Sequence, residues 1–318
     1  MKTAVISYPS SINLGDEIQS IAARRLLNNV DHYIDRENTH KFISDEHVKL
    51  LCNGWFMGNA NNWPPSDCIL PLFISMHISS ANGTASKIFT PSNIKYFKKH
   101  EPIGCRDHGT KRLFEKHGIE AYFSNCLTLT LERDAAIKRD NSILIVDAFR
   151  TNYDASFRKY YEQNIVPKVF RKDVKYIEQR NAESLTVEER FENAEELIEL
   201  YSKARLVITS RIHCALPCIA LGTPVYFVHA GYHNLEEGLN DRFEGILELF
   251  DVVDESRIKF ASNSFFDRVV RKLHLYKLFN KELIDIDWNL TPPTSKEKIS
   301  KYVENQKKII SDFFKEKI

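Results

Sequence analysis

Residues 206–228 read LVITSRIHCALPCIALGTPVYFV, and they decide the fold class. The apolar, β-branched run Leu206-Val207-Ile208-Thr209 reads as a short buried strand. Thr209 and Ser210 are good helix-capping types. A helix of small residues then runs to Leu221, Gly222 closes it, and a second strand covers Pro224 to Val228. Strand, turn, helix, strand over so few residues is a βα unit of a parallel sheet. In such sheets ligands gather at the carboxyl ends of the strands. The turn Ser210-Arg211-Ile212-His213 would lie there, at a helix start whose free N–H groups and dipole favour an anion. Arg211 offers a planar fork for carboxylate or phosphate, and His213 an acid or base two residues on.

Working outward, the same alternation occurs twice. One series opens with the run Ser142 to Asp147 and continues through a strand at Val174 to Ile177 and an amphipathic helix at Val187 to Ala204. An earlier series starts with a strand at Thr3 to Tyr8 and a helix from Asp16 to Asn28, whose apolar residues Ile18, Ile21, Ala22 and Leu26 fall at helical spacing. It carries a buried strand at Cys68 to Ser75, a helix from Gly109 to His117 stopped by Gly118, and a short strand at Ile119 to Phe123. Between the two series, ERDAAIKRDNS (132–142) has no apolar period and reads as a linker. The expectation is an α/β chain with two Rossmann-like domains, 1–135 and 140–290, and a C-terminal segment, 291–318. The stretches 265–279 and 295–318 look helical and basic. Apolar residues at 299, 302, 303, 309, 310, 313 and 314 make one stripe, suited to packing back on the first domain or to an anionic membrane surface.

Composition narrows the function. With 44 basic and 43 acidic residues the formal charge is +1, so no overall field draws in nucleic acid. At 318 residues and 43% hydrophobic, each half can bury a core of its own. No apolar run is long enough for a membrane span or a secretory leader, which predicts a cytoplasmic protein. The six cysteines form no CxxC pair; Cys214 and Cys218 read as packing residues, and no metal cluster is expected.

Two more strand-to-helix corners carry charge. Asn13-Leu14-Gly15-Asp16 follows the first strand, and its single glycine matches neither a dinucleotide fingerprint nor a P-loop; it presents Asp16 to a crevice or simply caps a helix. Gly104-Cys105-Arg106-Asp107 follows the apolar Ile103, and its Arg-Asp neighbours are an anion fork or a structural ion pair.

Taken together, NLGDEIQSIAARRLL (13–27), RDHGTKRLFEKHGI (106–119) and ITSRIHCALPCIALGTPV (208–225) resemble the polysaccharide pyruvyl transferase family. The resemblance implies a GT-B-like fold with a cleft between two Rossmann-like halves. It implies phosphoenolpyruvate as donor and, as acceptor, a sugar with two suitably placed hydroxyls, free or lipid-linked. The product would be a cyclic pyruvate ketal of a surface or capsular polysaccharide precursor, with phosphate released and no cofactor. Arg106 and Arg211 would then hold the donor, with Ser210, Ile212, Asn13 and Gly15 lining its pocket. His213 would do acid/base work and Asp16 would position or deprotonate the acceptor hydroxyl. His77, His229 and His233 are further candidates to line the cleft. The chain departs from the family at Cys52-Asn53-Gly54-Trp55-Phe56-Met57-Gly58, where members carry a Gly-Gly stretch, and at Asn125-Cys126-Leu127, where they often carry Asp-Pro. The rival expectation is a nucleotide-sugar-dependent glycosyltransferase of the same architecture, with Glu236 or Glu237 near a ribose. A binding protein without turnover is a third.

Overall fold

The computed structural model describes residues 1–56, 61–79, 83–148, 155–164, 166–182, 184–229, 241–254, 264–275, 286–288 and 295–315. The strands β1 (Lys2–Ser7), β2 (His32–Asp35), β3 (Val48–Phe56), β4 (Ile69–Ile78), β5 (Ile103–Cys105) and β6 (Ala121–Phe123) form one sheet in the order β2-β1-β3-β4-β5-β6. A second sheet holds β7 (Ile143–Val146), β8 (Val174–Ile177), β9 (Leu206–Thr209), β10 (Val225–His229) and β11 (Asp251–Asp254), in the order β11-β10-β9-β7-β8. Every pairing in both is parallel. Numbered from its own first strand, the second sheet reads 2-1-3-4-5 from β8 to β11, and the first repeats that order with a sixth strand added. In both, winding reverses between strands 1 and 3, which opens a crevice at the carboxyl edge. This is the α/β architecture of two parallel sheets that the sequence predicts.

Parallel strands are covered on both faces, so they read as continuous apolar runs. Ile143, Leu144, Val146, Val207 and Ile208 are all fully buried. β3 breaks that rule: Asn53-Gly54 interrupts its apolar run, and the sequence does not announce it as a strand, although it sits centrally in its sheet. The short strands β2 (HYID) and β11 (DVVD) are too polar to stand out either.

The helices are α1 (Leu14–Arg24), α2 (Thr84–Ile88), α3 (Pro91–Lys98), α4 (His108–Lys116), α5 (Ala155–Asn164), α6 (Val187–Lys203), α7 (Ile212–Ala220), α8 (Phe265–Lys272) and α9 (Ser295–Lys315). Thr186 and Glu189 form a reciprocal capping box at the start of α6, which holds two otherwise orphan N–H groups. Each half has an apolar cluster of its own. A third is shared: Val5, Ile18 and Ile21 of the first half join Leu197, Ile198, Leu216 and Ile219 of the second.

The stripe on α9 is spent inside the molecule. Ile299 and Ile310 are buried, Gln306 Nε2 donates to Ser124 O (2.7 Å), and Lys49 Nζ donates to Phe313 O (2.6 Å). That stripe is therefore not a free membrane face. By contrast α8 leaves Phe265 and Phe266 in solvent, 77% and 63% exposed. Among the described residues no helix is long and apolar enough to cross a membrane.

Candidate active site

Three strand-to-helix corners converge where the two carboxyl edges meet. At the first, after β9, the cap differs from the one predicted. Arg211, not Thr209 or Ser210, takes the N-cap position of α7, with extended backbone and no side-chain cap bond. Thr209 Oγ1 instead accepts from Arg211 N (3.0 Å), so the hydroxyl steadies the turn rather than the helix. The Arg211 guanidinium turns to its own half, where Nε donates to Asp147 Oδ2 (2.9 Å). Ser210 Oγ is buried and has no hydrogen-bond partner among the described residues. His213 departs from helical geometry (φ −83°, ψ 20°), as residues at functional turns often do. Ile212 is half-buried against the shared core.

The second corner, after β5, delivers Arg106 from the other sheet. Its backbone N donates to Met76 O (2.8 Å), and its side chain, 4% exposed, reaches His213 with Nη1 3.5 Å from Nε2. A guanidinium only donates, so His213 Nε2 faces it with its lone pair. Arg106 Nε has no hydrogen-bond partner among the described residues; it is ion-paired with Asp107 Oδ2, 3.6 Å away. Burial, then the charges of Arg106, Arg242 and His77, hold His213 well below the usual histidine range. It is neutral at pH 7.

Asp107 caps α4, accepting from Thr110 N (2.8 Å), and contacts His77 Nδ1 at 2.7 Å. Burial opposes its charge, but His77, Arg106 and the Thr110 N–H together hold its carboxyl below the ordinary range. Burial and Arg106 lower His77 as well. An ionised carboxylate can only accept, so neutral His77 donates Nδ1–H to Asp107 and keeps the Nε2 lone pair.

The third corner, after β1, closes the site from the side. Asn13, rather than Asp16, is the helix cap, its Oδ1 accepting from Gly15 N (3.2 Å). Asp16 lies in the first turn, held by Ser11 Oγ (2.6 Å), Asn13 Nδ2 and Gln19 Nε2 (3.4 Å each). Burial raises its pKa, against the pull of Ser11, Arg36, Arg106 and Arg190. Gly15 is needed here for closeness. A Cβ on it would lie 2.4 Å from Gln179 Nε2 and 2.9 Å from His213 Cβ. The loop is stitched to the second half: Leu14 N donates to Gln179 O (3.3 Å), Asn181 N to Ile12 O (2.8 Å), and Glu17 pairs with buried Arg190 at 2.7 Å.

Geometry and burial thus put Arg106 and two neutral histidines around one crevice, with Arg106 Nε and Ser210 Oγ making no hydrogen bond among the described residues. Buried donors without acceptors are costly, so such a pocket favours an anionic ligand.

The chain belongs to the polysaccharide pyruvyl transferase family. The family model matches residues 13–229, which include all three corners. No curated protein is matched by the sequence. Among solved structures it is similar to an uncharacterized protein of Klebsiella pneumoniae (13% identity, 75% of this chain and 87% of that one, TM-score 0.42). Another is the UDP-GlcNAc 2-epimerase of Methanocaldococcus jannaschii, in complex with UDP-GlcNAc and UDP (11% identity, 96% and 100% covered, TM-score 0.36).

For a pyruvyl transferase the placement of the sequence candidates is uneven. Asn13, Gly15, Asp16, His77, Arg106, Ser210, Ile212 and His213 gather at the crevice. Arg211 sits beside it in an ion pair with Asp147. His229 ends β10, 8% exposed, with its ring edge-on to Phe243 at 5.5 Å. His233, Glu236 and Glu237 lie outside the described residues. Sequence reasoning missed Asp147, Gln179 and Arg242. Asp147 carried a signal, since it follows the strand run 143–146 as Asp16 and Arg106 follow theirs. Gln179 and Arg242 had none: each is an ordinary polar residue until the halves meet.

Proposed function

We propose that this transferase moves the pyruvate unit of phosphoenolpyruvate onto a sugar of a surface or capsular polysaccharide precursor. The observation that carries this is the buried Arg106 guanidinium, 3.5 Å from neutral His213, whose Nε makes no hydrogen bond among the described residues. A donor with a carboxylate and a phosphate supplies the missing acceptors. Ser210 Oγ and the first N–H groups of α7 add donors for the same anion. Arg211, already paired with Asp147, contributes less charge and serves mainly to shape the turn.

In the chemistry, one acceptor hydroxyl gives its proton to a base and adds to C2 of phosphoenolpyruvate while C3 takes a proton from an acid. The C2–O bond to phosphate then breaks, the electron pair leaves with phosphate, and the second hydroxyl closes the ketal as its proton goes to a base. His213 handles protons at the phosphate side. Asp16, with its raised pKa, is a better base for a hydroxyl than an ordinary carboxylate. His77, oriented by Asp107, offers a second base through Nε2. The transfer so written demands no metal or cofactor.

The acceptor meets the protein in the cytoplasm, at the inner face of the membrane when it is lipid-linked. Exposed Phe265 and Phe266 beside Arg268 and Lys272 on α8 support that contact. Residues 1–135 and 140–290 act as two domains about the crevice, with 291–318 completing the first.

The test is incubation of purified protein with phosphoenolpyruvate and a panel of hexosides, following phosphate release and the pyruvate adduct by mass. A melting-point rise with UDP- or GDP-sugars and none with phosphoenolpyruvate would make it a glycosyltransferase instead.

A further inference from the structure

One large aromatic side chain beside His77 is left partly in solvent. In β3 every residue from Val48 to Phe56 is buried except Trp55, which is 43% exposed. The backbone goes to some length to put it there. Gly54 adopts φ +109°, open only to glycine at low cost, and a Cβ on it would lie 2.3 Å from Tyr8 Oη. On β4 an extra residue shifts the pairing, so that Cys52 opposes Phe73 but Gly54 opposes Met76. Ser75, at φ +56°, makes the bulge, and it is fastened by Ser124 Oγ (2.9 Å) and by its own Oγ to Asn125 O (2.7 Å). Bulges re-aim side chains beside active sites. Without this one the register would set Trp55 against Met76; with it, Trp55 lies beside His77, ring centroids 6.0 Å apart and planes at 61°. Its carbonyl is held by Arg36 Nη1 (3.0 Å), and Arg36 in turn feels the charge of Asp16.

We propose that Trp55 is the stacking platform for the acceptor, holding the C–H face of a pyranose ring beside His77. Indole presents a large, rigid face with negative charge at its centre. One face of a pyranose is a patch of weakly positive C–H groups, and its hydroxyls point outward from the rim. A ring stacked on Trp55 sends those hydroxyls toward His77 and toward Asp16 near Arg36, and His77 and Asp16 are the groups that can take their protons. This rests on the pyruvyl transferase reading for the identity of the acceptor. The stacking itself does not depend on turnover.

The experiment follows saturation transfer by NMR from protein aromatic protons to the ring protons of methyl galactopyranoside and methyl N-acetylmannosaminide, without donor. Wild-type protein should transfer saturation to the C–H face of at least one of them. Trp55→Ala should weaken its binding about tenfold, and Trp55→Phe should restore most of it, in line with the worth of an aromatic contact. The melting-point shift given by phosphoenolpyruvate should be equal in all three proteins. No transfer to either sugar, transfer undiminished in Trp55→Ala, or transfer to uridine in place of the sugars overturns the proposal. A sugar signal lost in Trp55→Ala while phosphoenolpyruvate neither binds nor reacts would leave the platform standing and remove the donor.

Discussion

The two sheets share a strand order but equip their carboxyl edges differently. The first sheet supplies the buried charges: Arg106, the His77–Asp107 pair and Asp16, each wired to neighbours. The second supplies a helix start, His213 and the Ser210 hydroxyl, which has no hydrogen-bond partner among the described residues, while its own arginine is neutralised by Asp147. Equal topology sets only the place of a site. The charge comes from one half and the backbone dipole from the other, so neither edge suffices alone.

The sharpest way to break this division is to remove the first sheet's cation. Arg106→Ala should lower kcat/KM for phosphoenolpyruvate by about 10³-fold, the scale for losing a preorganised charge contact. Circular dichroism would check that the fold stands, and a loss under tenfold would take Arg106 out of the donor site. Next in size is the stitch between the halves. Glu17→Ala leaves Arg190, 3% exposed, without its carboxylate partner, and should cost about 3 kcal/mol in urea unfolding. A cost below about 1 kcal/mol would mean that water reaches Arg190 and the seam is loose.

Gly15→Ala probes the approach of the edges directly. Its Cβ would meet His213 Cβ at 2.9 Å, and a displacement of that order should reduce kcat about 10²-fold with little change in melting point. Full activity would show that the corners need not touch. The smallest effect is on proton affinity. Asp107 favours the charged form of His77 through its charge and hydrogen bond, so Asp107→Asn, which keeps the helix cap, should move the His77 titration to still lower pH by NMR. A shift upward would contradict the assignment of the Nδ1 proton. In the wild type both His77 and His213 titrate below the ordinary value near 6.5 that the unfolded chain keeps. The unfolded state therefore binds protons first, and stability should fall as pH drops through about 6.5 and below.

Much of this was legible beforehand. β7, β8, β9 and α6 fall where apolar period and caps place them, because long periodic segments leave few alternatives. β3 did not, since its Asn53-Gly54 interruption reads as a turn and only its neighbours on both sides make it a strand. At the site, Arg106 and His213 could be named from strand-to-helix corners. The orientation of Arg211 could not, because Asp147 is 64 positions away in sequence and competes for the same guanidinium. Nor could the cap of α7, where Thr209 finds a nearer donor in Arg211 N than in the helix.

By itself the sequence determined the alternation of strands and helices, the corners at which chemistry would sit, and the family those corners belong to. These are local properties, written in hydrophobic period, capping residues and short motifs. Only the tertiary structure decided which corner supplies charge, which supplies a helix start, and that Trp55 lies beside His77. Those outcomes depend on pairing register and on the contact of two separately wound sheets. Both are set by packing between residues far apart in the chain, about which no stretch of sequence carries a local record.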